Sequence, residues 1–265
     1  MRWNKAMLAI CLGGATLRSL AAPVQPVPPV LSVPPVPRFH LRLMTESSPP
    51  ISMVEGNKVI GSGTEKVVEI MARTGTAYSL ELLPWKRAYL ELQKRDHACL
   101  YSTTRTPERE ALFQWVGPTD EADWVLLGRA DRSYKLNSLE DARKLRIGTY
   151  NGDARDAYLR ERGFNVDPAP NDLLNPDKLL LDRIDLWAAS LKRGNAALRR
   201  FDWADKIVPV LVFNKVGVYL ACNRRVPAAL IAHMNSALDA MNRDGTTRRI
   251  DLKYEKWVEA MQPKP

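Results

Sequence analysis

The sequence predicts an α/β protein of two successive lobes, each a mostly parallel sheet flanked by helices. Two observations carry that reading: a strand–helix–strand–helix–strand rhythm from His40 to Tyr101, and its restart at Trp124. Alternation of this kind implies parallel strands joined by crossover helices. Composition agrees, since 265 residues with 45% apolar and 26% charged side chains is ordinary for a globular chain. That length suits one large domain or two lobes of roughly 100 residues each.

The first 21 residues read as a secretory signal and belong to neither lobe. Arg2 and Lys5 give a cationic start, and Ala6 to Leu17 is mostly apolar. That stretch is too short to cross a bilayer of roughly 30 Å. Ser19-Leu20-Ala21 then offers small residues for cleavage before Ala22. Cys11 leaves a lipoprotein reading open, although Ile10 stands where a small residue is wanted. Residues 22–38 follow as a Pro-rich linker, with seven Pro between positions 23 and 37. Such a run can neither form a helix nor donate regularly to a sheet, so it is expected as an extended tether.

His40 to Met44 alternates and is expected as the first strand. Thr64 to Ala72 has helical apolar spacing and a stop at Gly75. Tyr78 to Leu83 reads as a strand, Trp85 to Lys94 as a helix and Ala98 to Tyr101 as a short buried strand. The helix places Trp85, Ala88, Tyr89 and Leu92 on one face. In the second block Trp124 to Gly128 is a strand, Ser138 to Leu145 a helix, Arg146 to Thr149 a strand and Ala154 to Arg162 a helix. Lys178 to Leu181 is helical and Ile184 to Ala189 is the third strand of that block. Val218 to Cys222 adds a strand, followed by a helix from Pro227 to Asn242 and a last one from about Thr247 to Met261.

Lys and Arg number 39 against 30 Asp and Glu, a net charge of +9. Removing residues 1–21 takes Arg2, Lys5 and Arg18 and no acid, which leaves +6. The cations alternate with acids, as in Arg105-Glu108-Arg109-Glu110 and Arg155-Asp156-Arg160-Glu161-Arg162. That pattern reads as a solvated mixed-sign surface, and no nucleic-acid partner is expected. His40, His97 and His233 are scattered, and three Cys cannot build a four-thiolate zinc site. No HExxH, GxSxG or Walker sequence occurs, so no metal, cofactor or catalytic residue is assigned. Open parallel sheets bind ligands beyond the carboxyl ends of their strands. That rule picks out the loops 45–51, 83–87, 102–109 and 150–154.

The run Tyr101-Ser102-Thr103-Thr104-Arg105-Thr106-Pro107-Glu108-Arg109-Glu110, with Phe113 and Gly117-Pro118, resembles the bacterial extracellular solute-binding proteins of family three. These are periplasmic receptors, typically for polar amino acids, that feed ABC importers. Further likenesses follow in order: Pro49-Pro50-Ile51, Gly61, Leu145-Arg146-Ile147-Gly148 with Asn151-Gly152-Asp153, Val216-Gly217-Val218-Tyr219-Leu220, and Asn242-Arg243-Asp244-Gly245-Thr246. The resemblance spans about residues 39 to 261. It implies the two-lobed type II periplasmic binding fold with two hinge strands, closing on ligand like a clamp. Lobe one would be residues 39–122 with 214–265, and lobe two residues 123–213. It further implies a periplasmic monomer that hands a small polar solute, amino-acid-like or an organic acid or amine, to an ABC permease of the inner membrane. Two rivals stay open: a sensing module for a separate membrane signalling partner, and an enzyme on the same clamp.

The resemblance places Arg109 where the family grips a ligand carboxylate, a task suited to a planar guanidinium fork. Ser102 and Thr104 resemble the residues that flank it with a backbone group and a hydroxyl. Trp85 resembles the aromatic platform under the ligand, with a core Trp as the other reading. Arg105 is a cleft wall or a solvated surface residue, and Glu46 a partner for a cation or a solvated loop acid. Two positions depart from the pattern. Asp153 and Ala154 replace two hydroxyl residues at a helix N-terminus, where an Asp would cap the helix and repel a carboxylate. Ser190 stands where the family carries the acid for an α-ammonium, so the ordinary amino-acid clamp is altered at both ends, with Asp153 as a conjectural replacement cation partner.

In the implied architecture the strands holding Cys99 and Cys222 are neighbours in one sheet. A disulfide between them would close a loop of about 120 residues, stabilising by on the order of 4–5 kcal/mol in the chain-entropy model. Two separate buried thiols remain the alternative, because one residue of register slip turns a side chain to the other face.

Overall fold

The computed structural model describes residues 39–201 and 203–260; the expected signal segment with Cys11 and the Pro-rich linker lie outside the described residues. The chain opens with β1 (His40–Thr45), β2 (Met53–Glu55), β3 (Lys58–Ile60), α1 (Ser62–Thr74), β4 (Ala77–Leu82) and α2 (Trp85–Lys94). It continues through β5 (Ala98–Thr104), a short α3 (Pro107–Glu110) and the long β6 (Phe113–Arg129). Then come β7 (Ile147–Tyr150), α4 (Ala154–Glu161), β8 (Val166–Ala169), α5 (Asn175–Leu180), β9 (Leu186–Ser190) and α6 (Leu191–Arg200). The second long strand, β10 (Ile207–Asn223), leads to α7 (Ala228–Arg243) and α8 (Thr246–Ala260).

Eight strands form one sheet in the order β4-β1-β5-β10-β6-β9-β7-β8. Its two ends, β4-β1-β5 and β9-β7-β8, are parallel, as crossover helices require. The long strands β6 and β10 run antiparallel to each other and to the strands beside them. Each end is covered on both faces, and the two-residue pleat sorts its side chains. Leu41, Leu43, Cys99, Tyr101, Leu220 and Cys222 meet α1, α7 and α8 on one face, while Met44, Ala98, Leu100 and Ala221 meet α2 on the other. At the far end Val125, Leu127, Trp187 and Ala189 form one core and Leu126, Ile147, Leu186 and Ala188 another. The result is a two-lobed fold whose halves own separate cores and share β6 and β10.

The structure corrects several expected elements. The strands read as 124–128 and 218–222 are each 17 residues long. Pro118, the acids from Asp120 to Asp123 and Pro209 interrupt the apolar alternation, and register shifts at Pro209, Val212 and Val218 absorb the irregularity. The helix expected over 138–145 is a single 3-10 turn at Leu139–Ala142 that buries only Ala142. Among the elements that went unread are the β2–β3 hairpin, the edge strand β8, which contains Pro168, and α6, which contains Gly194. A Cβ on Gly194 would come within 3.1 Å of Leu127, so glycine lets α6 lie close on the sheet. Arg155 and Asp156, read as solvated, are 2% and 6% exposed.

Cys99 on β5 and Cys222 on β10 are direct register partners and are joined by a disulfide, with Cα atoms 4.0 Å apart.

Candidate functional site

The carboxyl ends of β1, β5, β7 and β9, with the start of α2, converge on one cleft between the lobes. Its lining includes Glu46, Trp85, Ser102, Thr104, Arg109, Asp153 and Ser190, seven of the residues singled out in the sequence. The eighth, Arg105, lies outside it. Its guanidinium is held by Glu110 at 2.7 Å and packs over the rings of Trp115 and Tyr219. The cleft encloses about 850 Å³ including its open mouth, but only about 60 Å³ admits the centre of a water molecule. That is room for a handful of waters or one small solute.

The first wall is built by β5 and α3. Ser102 adopts a left-handed backbone with φ 59°, and Gly63 passes so close that an added Cβ would stand 3.1 Å from its Oγ. Arg109 is 8% exposed, yet its hydrogen bonds are long and go only to backbone carbonyls: Nη1 to Thr104 O at 3.3 Å and Nη2 to Gly152 O at 3.5 Å. The guanidinium packs 5.0 Å from the ring centroid of Tyr89 and 5.7 Å from that of Trp85. Among the described residues no carboxylate lies within ion-pair distance of it. Trp85 serves both readings: it is 4% exposed within a core and it lines the cleft. Its indole N–H donates to Gly152 O at 3.0 Å, which ties this wall to the opposite one. Tyr101, behind the wall, bonds Thr64 at 2.9 Å, and burial pushes its phenol up to about 12.

The second wall is organised differently. Asp153 caps α4 by accepting from the Arg155 backbone N–H at 2.8 Å, and it also accepts from Arg155 Nε at 2.7 Å. Arg155 Nη2 reaches Asp172 at 3.5 Å. Burial alone would raise the Asp153 carboxyl, but the adjacent Arg155 guanidinium overcomes it and holds the pKa below the ordinary carboxylate value. Burial likewise opposes the Arg155 charge, while Asp153, Asp172 and then Glu46 raise its pKa. The cation that Asp153 bonds is therefore one of its own helix, and Arg109 of the first wall adds to the same lowering.

Three cations of the cleft were not found by reading the sequence. Lys66, 2% exposed, lies 2.8 Å from Asp251 and donates to Thr119 O at 2.9 Å; Lys192 pairs with Asp120 at 3.0 Å. Arg155 is the third. One signal was available for it: a cation in the first turn of a helix opposes the helix dipole and needs a carboxylate to hold it there. Four acids (Glu46, Asp120, Glu121, Asp153) balance four cations across the lining; among the described residues Lys66, Arg155 and Lys192 each have a carboxylate within ion-pair distance, whereas Arg109 acts on Asp153 and Glu108 only from farther away.

Residues 41–259 match the model of the bacterial extracellular solute-binding proteins, family 3. No curated protein matches the sequence. A histidine kinase sensor domain with similarity to periplasmic binding proteins superposes with a TM-score of 0.75 at 19% identity, covering 81% of this chain and 95% of its own. An ancestral arginine-binding protein bound to arginine gives 0.71 at 21% identity, covering 82% and 98%. The arginine-, lysine-, histidine-binding protein ArtJ of Geobacillus stearothermophilus gives 0.71 at 17%, covering 81% and 94%. At these identities the likeness establishes the fold.

Proposed function

This chain belongs to the bacterial extracellular solute-binding proteins of family 3, and from that premise we propose that it captures a small carboxylate-bearing solute between its lobes and delivers it to an ABC-type importer. The observation that carries the proposal is Arg109, a buried guanidinium whose fork is met only by carbonyls 3.3 and 3.5 Å away. A carboxylate would replace those long bonds with two short charge-assisted ones. Ser102 and Thr104 flank the anchor, and Trp85 and Tyr89 supply apolar faces beside it. Residues 39–122 with 214–265 form lobe one and residues 123–213 lobe two, closing about β6 and β10. Residues 1–21 direct export to the periplasm and residues 22–38 act as a tether.

A second reading has one specific observation in its favour, the fold shared with a histidine kinase sensor domain at a TM-score of 0.75. In it the same cleft reports its solute to a membrane signalling partner. Genes for a permease and an ATPase beside this one support delivery, and a sensor kinase gene supports signalling. The capture step common to both is tested by a thermal-shift screen of amino acids, polyamines and small organic acids. A true solute at roughly 100 times its dissociation constant stabilises the protein by about 2.7 kcal/mol. A hit that stabilises Arg109→Ala equally would contradict the proposed anchor.

A further inference from the structure

Three buried side-chain atoms lining the cleft lack hydrogen-bond partners: the Thr45 hydroxyl, which interacts with the Tyr101 phenol behind the first wall, and two groups that come from opposite walls. Ser48, in the loop after β1, is 6% exposed and its Oγ is unpartnered; Arg155, on α4, is 2% exposed and its Nη1 is unpartnered. Both line the cleft. The other nitrogens of Arg155 are committed, Nε to Asp153 and Nη2 to Asp172. A buried donor without an acceptor forfeits its hydration and gains nothing in return, so groups of this kind mark where a polar guest completes the network.

We infer that Ser48 and Arg155 form a second anchor in the cleft, one that receives a neutral hydrogen-bonding end of the solute, a carboxamide in particular. The inference rests on the reading that the solute's carboxylate sits on Arg109. Charge decides the class of the far end. Arg155 already faces Asp153 and Asp172, and Glu46, two residues before Ser48 on the other wall, adds to the negative field around it. With Arg109, the other cation that acts on Asp153, given to the solute's first carboxylate, Arg155 alone faces these three acids, which leaves no attraction for a further carboxylate. An ammonium would be drawn by that field, but it has donors only and cannot satisfy Nη1. A carboxamide meets both groups, its carbonyl oxygen accepting from Arg155 Nη1 and its N–H donating to Ser48 Oγ. A second cavity of about 1000 Å³, its open mouth included, adjoins at Glu46 and Ser48 and gives room at that end.

The test is titration calorimetry of the folded exported chain with six linear acids that keep one carboxylate and vary the far end: succinamate, succinate and 4-aminobutyrate, and their five-carbon counterparts. The amide of each set is expected to bind at least about tenfold tighter than its two companions. Ser48→Ala, which removes one hydroxyl from a loop, and Arg155→Lys, which keeps a cation for Asp153 and Asp172, are expected to erase that preference. Tightest binding by a dicarboxylate or an amine, or a preference unchanged in both variants, would overturn the second anchor. In those outcomes binding that still depends on Arg109 leaves the capture proposal intact. Failure of all six to bind would also overturn it, and the broad screen, read with Arg109→Ala, decides the capture proposal separately.

Discussion

Two arginines face the same cleft, both less than a tenth exposed, and their surroundings differ in kind. Arg109 touches two carbonyls at long range and two aromatic rings, whereas Arg155 is clamped by Asp153 at 2.7 Å with Asp172 beyond. Burial of a charge is costly unless partners offset it. The second wall provides those partners from within the protein, so most of the Arg155 guanidinium is spent on holding α4 to the 3-10 turn before α5. The first wall leaves the offset to rings, weak bonds and acids beyond ion-pair distance, which is why the proposed function assigns Arg109 an anion. The partner set, and not the residue type or its burial, separates Arg155 from Arg109, the anchor in the proposed function.

The comparison can be broken in several places. The first wall hangs on β5, which the Cys99–Cys222 bond fastens to β10. A Cys99→Ala, Cys222→Ala double variant should lose on the order of 4–5 kcal/mol in urea unfolding, because the bond closes a loop of 123 residues. An unchanged midpoint would deny that contribution. Arg155→Ala should cost about 3–5 kcal/mol, since it strands Asp153 and Asp172 without their cation. A loss no larger than that of Arg109→Ala would erase the distinction between the walls.

Acid sharpens the same contrast. Asp153 is held below its ordinary value in the folded state, so its contribution is fully present above the unfolded value of about 3.9 and drains as pH falls through the folded one. Stability curves below about pH 4 should therefore slope less in Asp153→Asn, whose side chain still caps α4. Identical acid limbs would remove Asp153 from the account. The smallest effect on stability is expected for Arg109→Ala, about 1 kcal/mol from lost ring contacts and two long bonds. Thermal unfolding of the variant without added solute checks it.

Legibility in the sequence followed the same physical lines. Where one face of an element is buried, the apolar period shows through: α2 was read at Trp85–Lys94, the bounds it has in the structure. Where a strand crosses between two cores, Pro118, Pro209 and the acidic run hide the period, so β6 and β10 were read only in their buried thirds. The candidate site was legible through the Ser102 to Arg109 run, which puts the proposed anchor and two of its cleft neighbours in one contiguous stretch. Arg155 was hidden because its partners are distant in kind: Asp153 looks like a cap and nothing more, and Asp172 lies 17 residues on, opening a single 3-10 turn too short to show a pattern. A buried ion pair assembled from such pieces looks like a mixed-sign surface until the fold is known.

The most direct test of the central claim is the affinity of Arg109→Lys for the solute that the screen identifies, measured by titration calorimetry beside the unaltered protein. Lysine keeps the charge and loses the planar fork, so a loss of about 10- to 100-fold in affinity, with the melting temperature of the unliganded protein nearly unchanged, is the predicted result. Equal affinity in the two proteins would contradict the account and place the solute away from Arg109.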